Sequence, residues 1–193
     1  MPRNNQTVPK AERAAAVVDC AVTLFTEFGY RATSVAAVGR AAGLTTAAVH
    51  WYYATKDDLF AAALDQMFAD TRREIEADPS IAGDPYGELN EFFETLAPFR
   101  SLHREAYERM DDSEALRAVY ADTQLWLEER FMAVVADNAP HGADLVRMTE
   151  AAHLFFEGLM VSVRRIEKPA SYYLDMTVAA VIGAATVTPL RRK

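Results

Sequence analysis

Between Lys10 and Gly29 the apolar side chains return every three or four residues. Val17, Ala21, Leu24 and Phe28 mark the interval, and Val18 and Phe25 widen the stripe. Such spacing lines one face of an amphipathic helix, and Gly29 is a natural stop. Thr33 or Ser34 can cap a short second helix, SVAAVGRAA, that halts at Gly43, and Thr45 can cap a third, TAAVHWY. Thr55 opens a long fourth helix. Asp57 and Asp58 fall in its first turn, where the positive end of the helix dipole favours anions. Leu59, Phe60, Ala63, Leu64, Met67, Phe68 and Ile75 make its apolar side, and Pro79 marks its end.

DPSIAGDPYG (78–87) holds two Pro and two Gly and is the most loop-like stretch. Helical patterns follow near 87–97, 99–110 and 113–137, parted by Pro98 and the DDS triplet. NAPHG (138–142) interrupts the chain again, and two last helices are predicted near 143–167 and 170–188 with Pro169 between them. No stretch alternates long enough for a strand, and no repeat recurs. The predicted fold is all-α, with about nine helices.

Composition changes this picture little. At 193 residues, 51% hydrophobic and 25% charged, the chain is a folded protein rather than a disordered one. Cys20 is the one cysteine, which excludes an intrachain disulfide, and its apolar helical setting suits a buried structural thiol. MPRNNQTVPK lacks the apolar core of a signal peptide, and VAAVIGAATV (178–187) is too short to span a bilayer. A cytoplasmic protein without a membrane partner is expected.

Charge is more informative. The net charge is −8, yet residues 1–60 carry six basic and five acidic side chains, net +1, which leaves −9 for the rest. A roughly neutral head on an acidic body fits an anionic partner whose contact is confined to the head. There, two short helices joined through AAGL and packed on a longer one form a helix-turn-helix pattern, with Val35, Val38 and Val49 turned inward. Thr45, Thr46 and Ala47 would reach base edges from the start of the third helix. His50, Trp51, Tyr52 and Lys56 would grip the phosphate backbone. Spacing alone leaves a second possibility open, since an aromatic cluster in a small helical domain also makes a core.

Residues 13–60 resemble the TetR family of bacterial one-component transcriptional regulators. The first helix ends in EFGY after Phe25, and Thr33 and Ser34 match the pair that opens helix two. Ala42-Gly43-Leu44-Thr45 match the central turn, and Tyr52-Tyr53-Ala54-Thr55-Lys56-Asp57-Asp58-Leu59 match the closing motif. His50 stands where Tyr is usual, Tyr53 where Phe is common, Ala47 where Gly is frequent and Gly39 where Ala is usual. The likeness implies a three-helix DNA-binding domain over residues 1–55, with Thr33 and Ser34 among its DNA contacts. It also implies a helical effector-binding and dimerisation domain over 56–193.

The family further implies pairing of the last two helices, residues 143–188, with a second copy. Leu145, Met148, Ala152, Phe155, Leu159, Val163 and Ile166 step by threes and fours, as do Tyr173, Met176, Ala180, Gly183 and Val187. Such seams fit a homodimer or an internal core. A small-molecule pocket is expected among Met67, Phe93, Phe99, Leu102, Tyr107, Met110, Trp126 and Phe156, residues that also suit plain core. His103 and His153 are candidate polar anchors.

The expected function is a transcriptional regulator, read as a repressor, that binds a pseudo-palindromic double-stranded operator as a homodimer. A small hydrophobic effector would release it through helix four, anchored to the head by Leu59 and Phe60. No cofactor is implied. An enzyme would need a metal-spaced cluster, a phosphate loop or a nucleophile elbow, and HREAYE (103–108) has none of these spacings. The remaining alternative is a helical dimeric interaction protein without sequence-specific DNA binding.

Overall fold

The computed structural model describes residues 9–136, 138–139, 143–162 and 166–186. Among them no strand occurs, and the regular elements are helices. They run α1 (Lys10–Ala32), α2 (Val35–Ala41), α3 (Thr46–Tyr52), α4 (Lys56–Ala77) and α5 (Pro85–Leu96), then a 3-10 turn (Ala97–Phe99). They continue with α6 (Arg100–Tyr107), α7 (Glu114–Ala136), α8 (Leu145–Val161) and α9 (Ala170–Thr186). Val163 and Val187 of the predicted seams and residues 140–142 of NAPHG lie outside the described residues. No described helix is long and apolar enough to cross a membrane.

Local chemistry sets the head's boundaries. Backbone geometry leaves the helix at Gly29, whose φ of 78° suits glycine, so the predicted stop is a kink inside α1. Ser34 caps α2 by accepting from the Ala37 amide at 3.1 Å, and Thr45 caps α3 by accepting from the Ala48 amide at 3.2 Å. Between them Gly43 takes φ 69°, and the Leu44 amide donates to the Gly39 carbonyl at 2.8 Å. A Cβ on Gly39 would sit 3.1 Å from the Leu44 carbonyl oxygen and 3.3 Å from a Val49 methyl, so this glycine lets α2 lie close on the turn. At α4, Thr55 and Asp58 close a reciprocal capping box, with amide-to-side-chain distances of 2.9 and 3.0 Å.

The chain forms two compact units, residues 1–69 with 105–119, and residues 70–104 with 120–193. The first is larger than the expected 1–55 domain because the start of α4 belongs to its core. Phe60 is fully buried, and its ring lies 4.9 Å from Phe25 and 4.8 Å from Tyr30 between centroids. Val17, Ala21, Val38, Val49 and Leu64 complete this core. Phe28, expected on the buried stripe, is exposed instead: the buried face of α1 runs through Val17, Val18, Ala21 and Phe25.

In the second unit α5 packs on α8 and α9, and α8 lies along α9. Phe92, Phe93, Phe131, Phe156 and Leu174 fill its core. The seam expected on α8 divides. Met148, Ala152 and Leu159 are buried within the unit, whereas Leu145 and Phe155 are exposed beside Leu154, itself 70% exposed. On α9, Met176, Ala180 and Gly183 are exposed, joined by Tyr172 and Ala179, while Tyr173 is half-buried. Steps of three and four are satisfied by either face of such a helix, so the pattern combined two faces in one.

Candidate nucleic-acid interface

The interface is built on α3. Val49 is wholly buried and anchors the helix, so the residues flanking it in the helical turn must face out. Thr45, Thr46, Ala47, His50 and Trp51 are all exposed. Trp51 is 64% exposed, a large apolar area for a side chain with no place in the core. It is held from two sides. Lys10 Nζ lies 4.0 Å from the ring centroid, and Tyr52 packs edge-on at 4.9 Å. His50 Nδ1 lies 3.0 Å from the Ala54 carbonyl oxygen. Tyr52 and Tyr53 are half-buried, and burial pushes the Tyr53 phenol up. Ser34, at the start of α2, is exposed.

Two expected contacts are placed elsewhere. Thr33 is 3% exposed, and its Oγ1 lies 3.0 and 2.9 Å from the Leu24 and Gly29 carbonyls. It closes the kink after Gly29 and cannot meet a phosphate. Lys56 is turned into the first unit. Its Nζ donates to the Tyr30 carbonyl at 2.7 Å and lies 3.9 Å from the Tyr30 ring centroid. Burial, and secondarily the Arg109 charge, lower its pKa.

Lys56 belongs to a network that sequence reading missed. The Tyr30 hydroxyl donates to Asp57, and burial together with that bond raises the phenol's pKa. Arg109 stacks on the same ring at 3.9 Å and stands 3.6 Å from Asp57 and 3.8 Å from Glu105. Glu105 accepts from Arg31 at 2.6 Å. Apart from the Glu105–Arg109 pair one turn apart, the partners lie 26 to 79 positions apart in sequence, so no periodicity could have announced them. Lys10, 41 positions before Trp51, escaped notice for the same reason.

The expected pocket residues fall in both units. Met67, Tyr107 and Met110 are half-buried in the first. In the second, Phe93 meets Phe156 at 5.3 Å, and Phe92 meets Phe93 at 5.8 Å and Trp126 at 5.2 Å. Leu102 is buried nearby in sequence to the half-buried Phe99 of the 3-10 turn. A void of only about 10 Å³ touches Phe93, Leu96, Arg100, His103 and Leu159. An open cleft of about 470 Å³ is lined by Gln124, Glu128, Thr149, Glu150 and His153. His153 sits there 3.1 Å from Glu128 and 3.4 Å from Glu157.

His103 is fully buried, and its Nδ1 shares a 2.8 Å hydrogen bond with the Tyr120 hydroxyl. Burial, and to a lesser degree the Arg100 charge, pushes its imidazole down to about 4. An unfolded histidine titrates near roughly 6.5, so between these values the unfolded chain binds the extra proton. Stability is therefore complete above about pH 6.5 and is lost as pH falls toward 4, by about 3 kcal/mol. Urea midpoints from pH 7.5 to 4.5 should show this slope, and His103→Gln should flatten it.

With this geometry in place, the chain's likeness to known proteins is specific at the head. Residues 17–63 match the family model described as bacterial regulatory proteins, tetR family. Over 76 residues the chain is 32% identical to the HTH-type transcriptional regulator AcrR of Shigella flexneri, covering 39% of this chain and 35% of that protein. Over 136 residues it is 29% identical to the HTH-type transcriptional repressor KstR2 of Rhodococcus jostii (strain RHA1), covering 67% and 60%. The chain thus spans about a third of the first relative and 60% of the second. Thermus thermophilus FadR, a TetR family transcriptional repressor solved with lauroyl-CoA, matches with a TM-score of 0.60. Its identity is 16%, over 93% of this chain and 100% of that one, and that likeness shows a shared fold.

Proposed function

From the membership of this chain in the tetR family of bacterial regulatory proteins, carried by residues 17–63, we propose a one-component transcriptional repressor that binds a pseudo-palindromic DNA operator as a homodimer. The observation that carries this reading is the exposed row on α3, with Thr45, Thr46, Ala47, His50 and Trp51 facing outward while Val49 holds the helix from behind. Threonine hydroxyls and methyls read base edges, and His50, Tyr52 and the Lys10-supported Trp51 lie against sugar and phosphate. Ser34 reaches the backbone from α2. Thr33 and Lys56 act from within, holding the kink and the α1–α4 contact that present α3.

The exposed apolar stripes of α8 and α9 support pairing with a second copy, with Leu154, Phe155, Tyr172 and Met176 as its large side chains. A two-fold dimer presents two α3 helices, so the operator carries two half-sites. The aromatic side chains of the second unit support an apolar effector, with residues 56–193 as the effector and dimerisation domain. The Thermus protein's lauroyl-CoA is a precedent for an acyl ligand on this fold. Helix α4 passes from the first unit to the second after Ala69 without a break. An effector that tilts it needs a coupling of about 1–3 kcal/mol to release DNA.

Selection from a random duplex pool tests the reading. The expected result is enrichment of an inverted repeat, released by an acyl or other apolar ligand. A dimer that enriches no sequence would identify an interaction protein instead.

A further inference from the structure

The hydrogen bond of His50 fixes which of its nitrogens can face DNA. The Ala54 oxygen 3.0 Å from Nδ1 is a carbonyl and can only accept, so Nδ1 carries a proton. In the neutral ring Nε2 is therefore a bare lone pair, an acceptor that cannot bond a phosphate oxygen. Protonation turns the same atom into a charged donor without moving the ring. Because the Ala54 bond is kept in both states, the change at Nε2 is purely one of charge and hydrogen-bonding sense.

We infer that His50 is a proton-gated phosphate contact, so that operator affinity rises as the medium becomes more acidic. This rests on the DNA-binding reading above and specifies how its interface is regulated. Histidine is the side chain whose charge changes between about pH 5 and 8. His50 is exposed on the same row as Thr46 and Trp51.

On α2, which packs on α3, Arg40 is exposed, and several charged groups of the other neighbouring elements are engaged elsewhere. On α4, Lys56 donates to the Tyr30 carbonyl, Asp57 accepts from the Tyr30 hydroxyl and faces Arg109, and Asp58 accepts from the Thr55 amide. On α1, Lys10 lies over the Trp51 ring, and on the turn after α3 the Tyr53 phenol is half-buried. Among the described residues His50 forms no ion pair, so a phosphate is the anion that would reward its protonation.

The sign follows from linkage. A phosphate stabilises the imidazolium, so the complex holds the proton to higher pH than the free protein does. Affinity is therefore gained as the medium becomes more acidic and lost as it becomes more basic. One charge-assisted bond changes affinity by roughly tenfold, and two per dimer by roughly a hundredfold.

The test uses the full chain and the duplex enriched by selection, with anisotropy titrations from pH 5.8 to 8.2 at constant ionic strength. Wild type should weaken by about one to two orders of magnitude across this range, with up to two protons taken up per dimer bound. His50→Gln should be nearly flat, and His50→Arg flat and tight, because its charge persists. Circular dichroism at each pH separates folding from binding. A slope of the same size in His50→Gln overturns the inference and leaves the DNA-binding reading standing. Failure of any duplex to bind at any pH overturns both.

Discussion

Glutamate in place of Leu154 should split the proposed dimer and, with it, tight operator binding. Leu154 is 70% exposed in the single chain, with Phe155 exposed beside it, so its replacement removes little from the monomer's own packing. A two-fold interface contains any substituted residue twice. Each dimer would then bury two carboxylates at the seam, at a cost of several kcal/mol. A loss of about 3–5 kcal/mol weakens self-association by roughly a hundred- to several-thousandfold. Sedimentation at micromolar concentration should show wild-type dimer and Leu154→Glu monomer with the same circular dichroism.

Operator affinity should fall in parallel, because two linked heads gain about 10²–10⁴ in avidity over one. Met176→Glu on α9 should behave alike. An unchanged dimer in both variants would place the partner face elsewhere.

What the sequence disclosed was local chemistry. Ser34, Thr45 and Thr55 cap the helices they were expected to cap, and Gly29 and Gly43 adopt positive φ where a turn was expected. These signals lie within four residues of the structure they make. What it withheld was tertiary commitment. Thr33 and Lys56 are polar and sit in motif positions, yet both are spent on the Leu24, Gly29 and Tyr30 carbonyls.

Periodicity likewise reports that a face is buried without saying by what. Met148 and Phe155 share one heptad-like series, yet the first faces the core and the second faces out. The domain boundary at residue 55 followed the start of α4, whereas the compact unit follows the ring of Phe60 beneath Phe25 and Tyr30. Pocket residues chosen for softness alone fell into both units, because softness marks core as much as ligand contact.

Removing the Arg130 guanidinium should strongly destabilise the second unit. Its Nε donates to Glu88 at 2.9 Å, another nitrogen reaches Glu76 at 3.1 Å, and the group stacks on Trp126 at 4.0 Å. Trp126 Nε1 donates to the same Glu76 oxygen at 3.1 Å. Glu88 is 6% exposed, and apart from Arg130 it accepts the Gly83 amide at 2.8 Å. Arg130→Ala leaves that carboxylate buried and uncompensated, a loss of about 3–5 kcal/mol.

Part of this loss is packing on Trp126 rather than charge, and Arg130→Met keeps much of the stem contact. If the stranded charge dominates, Arg130→Met should remain strongly destabilised, and adding Glu88→Gln should recover about half of the deficit by removing the charge left behind. Urea unfolding of the four species of that cycle gives the coupling energy directly. A loss below about 1 kcal/mol in Arg130→Met would mean the pair behaves as a solvated surface bridge. The join of α5 to α7 would then rest on the aromatic contact of Phe92 with Trp126 instead.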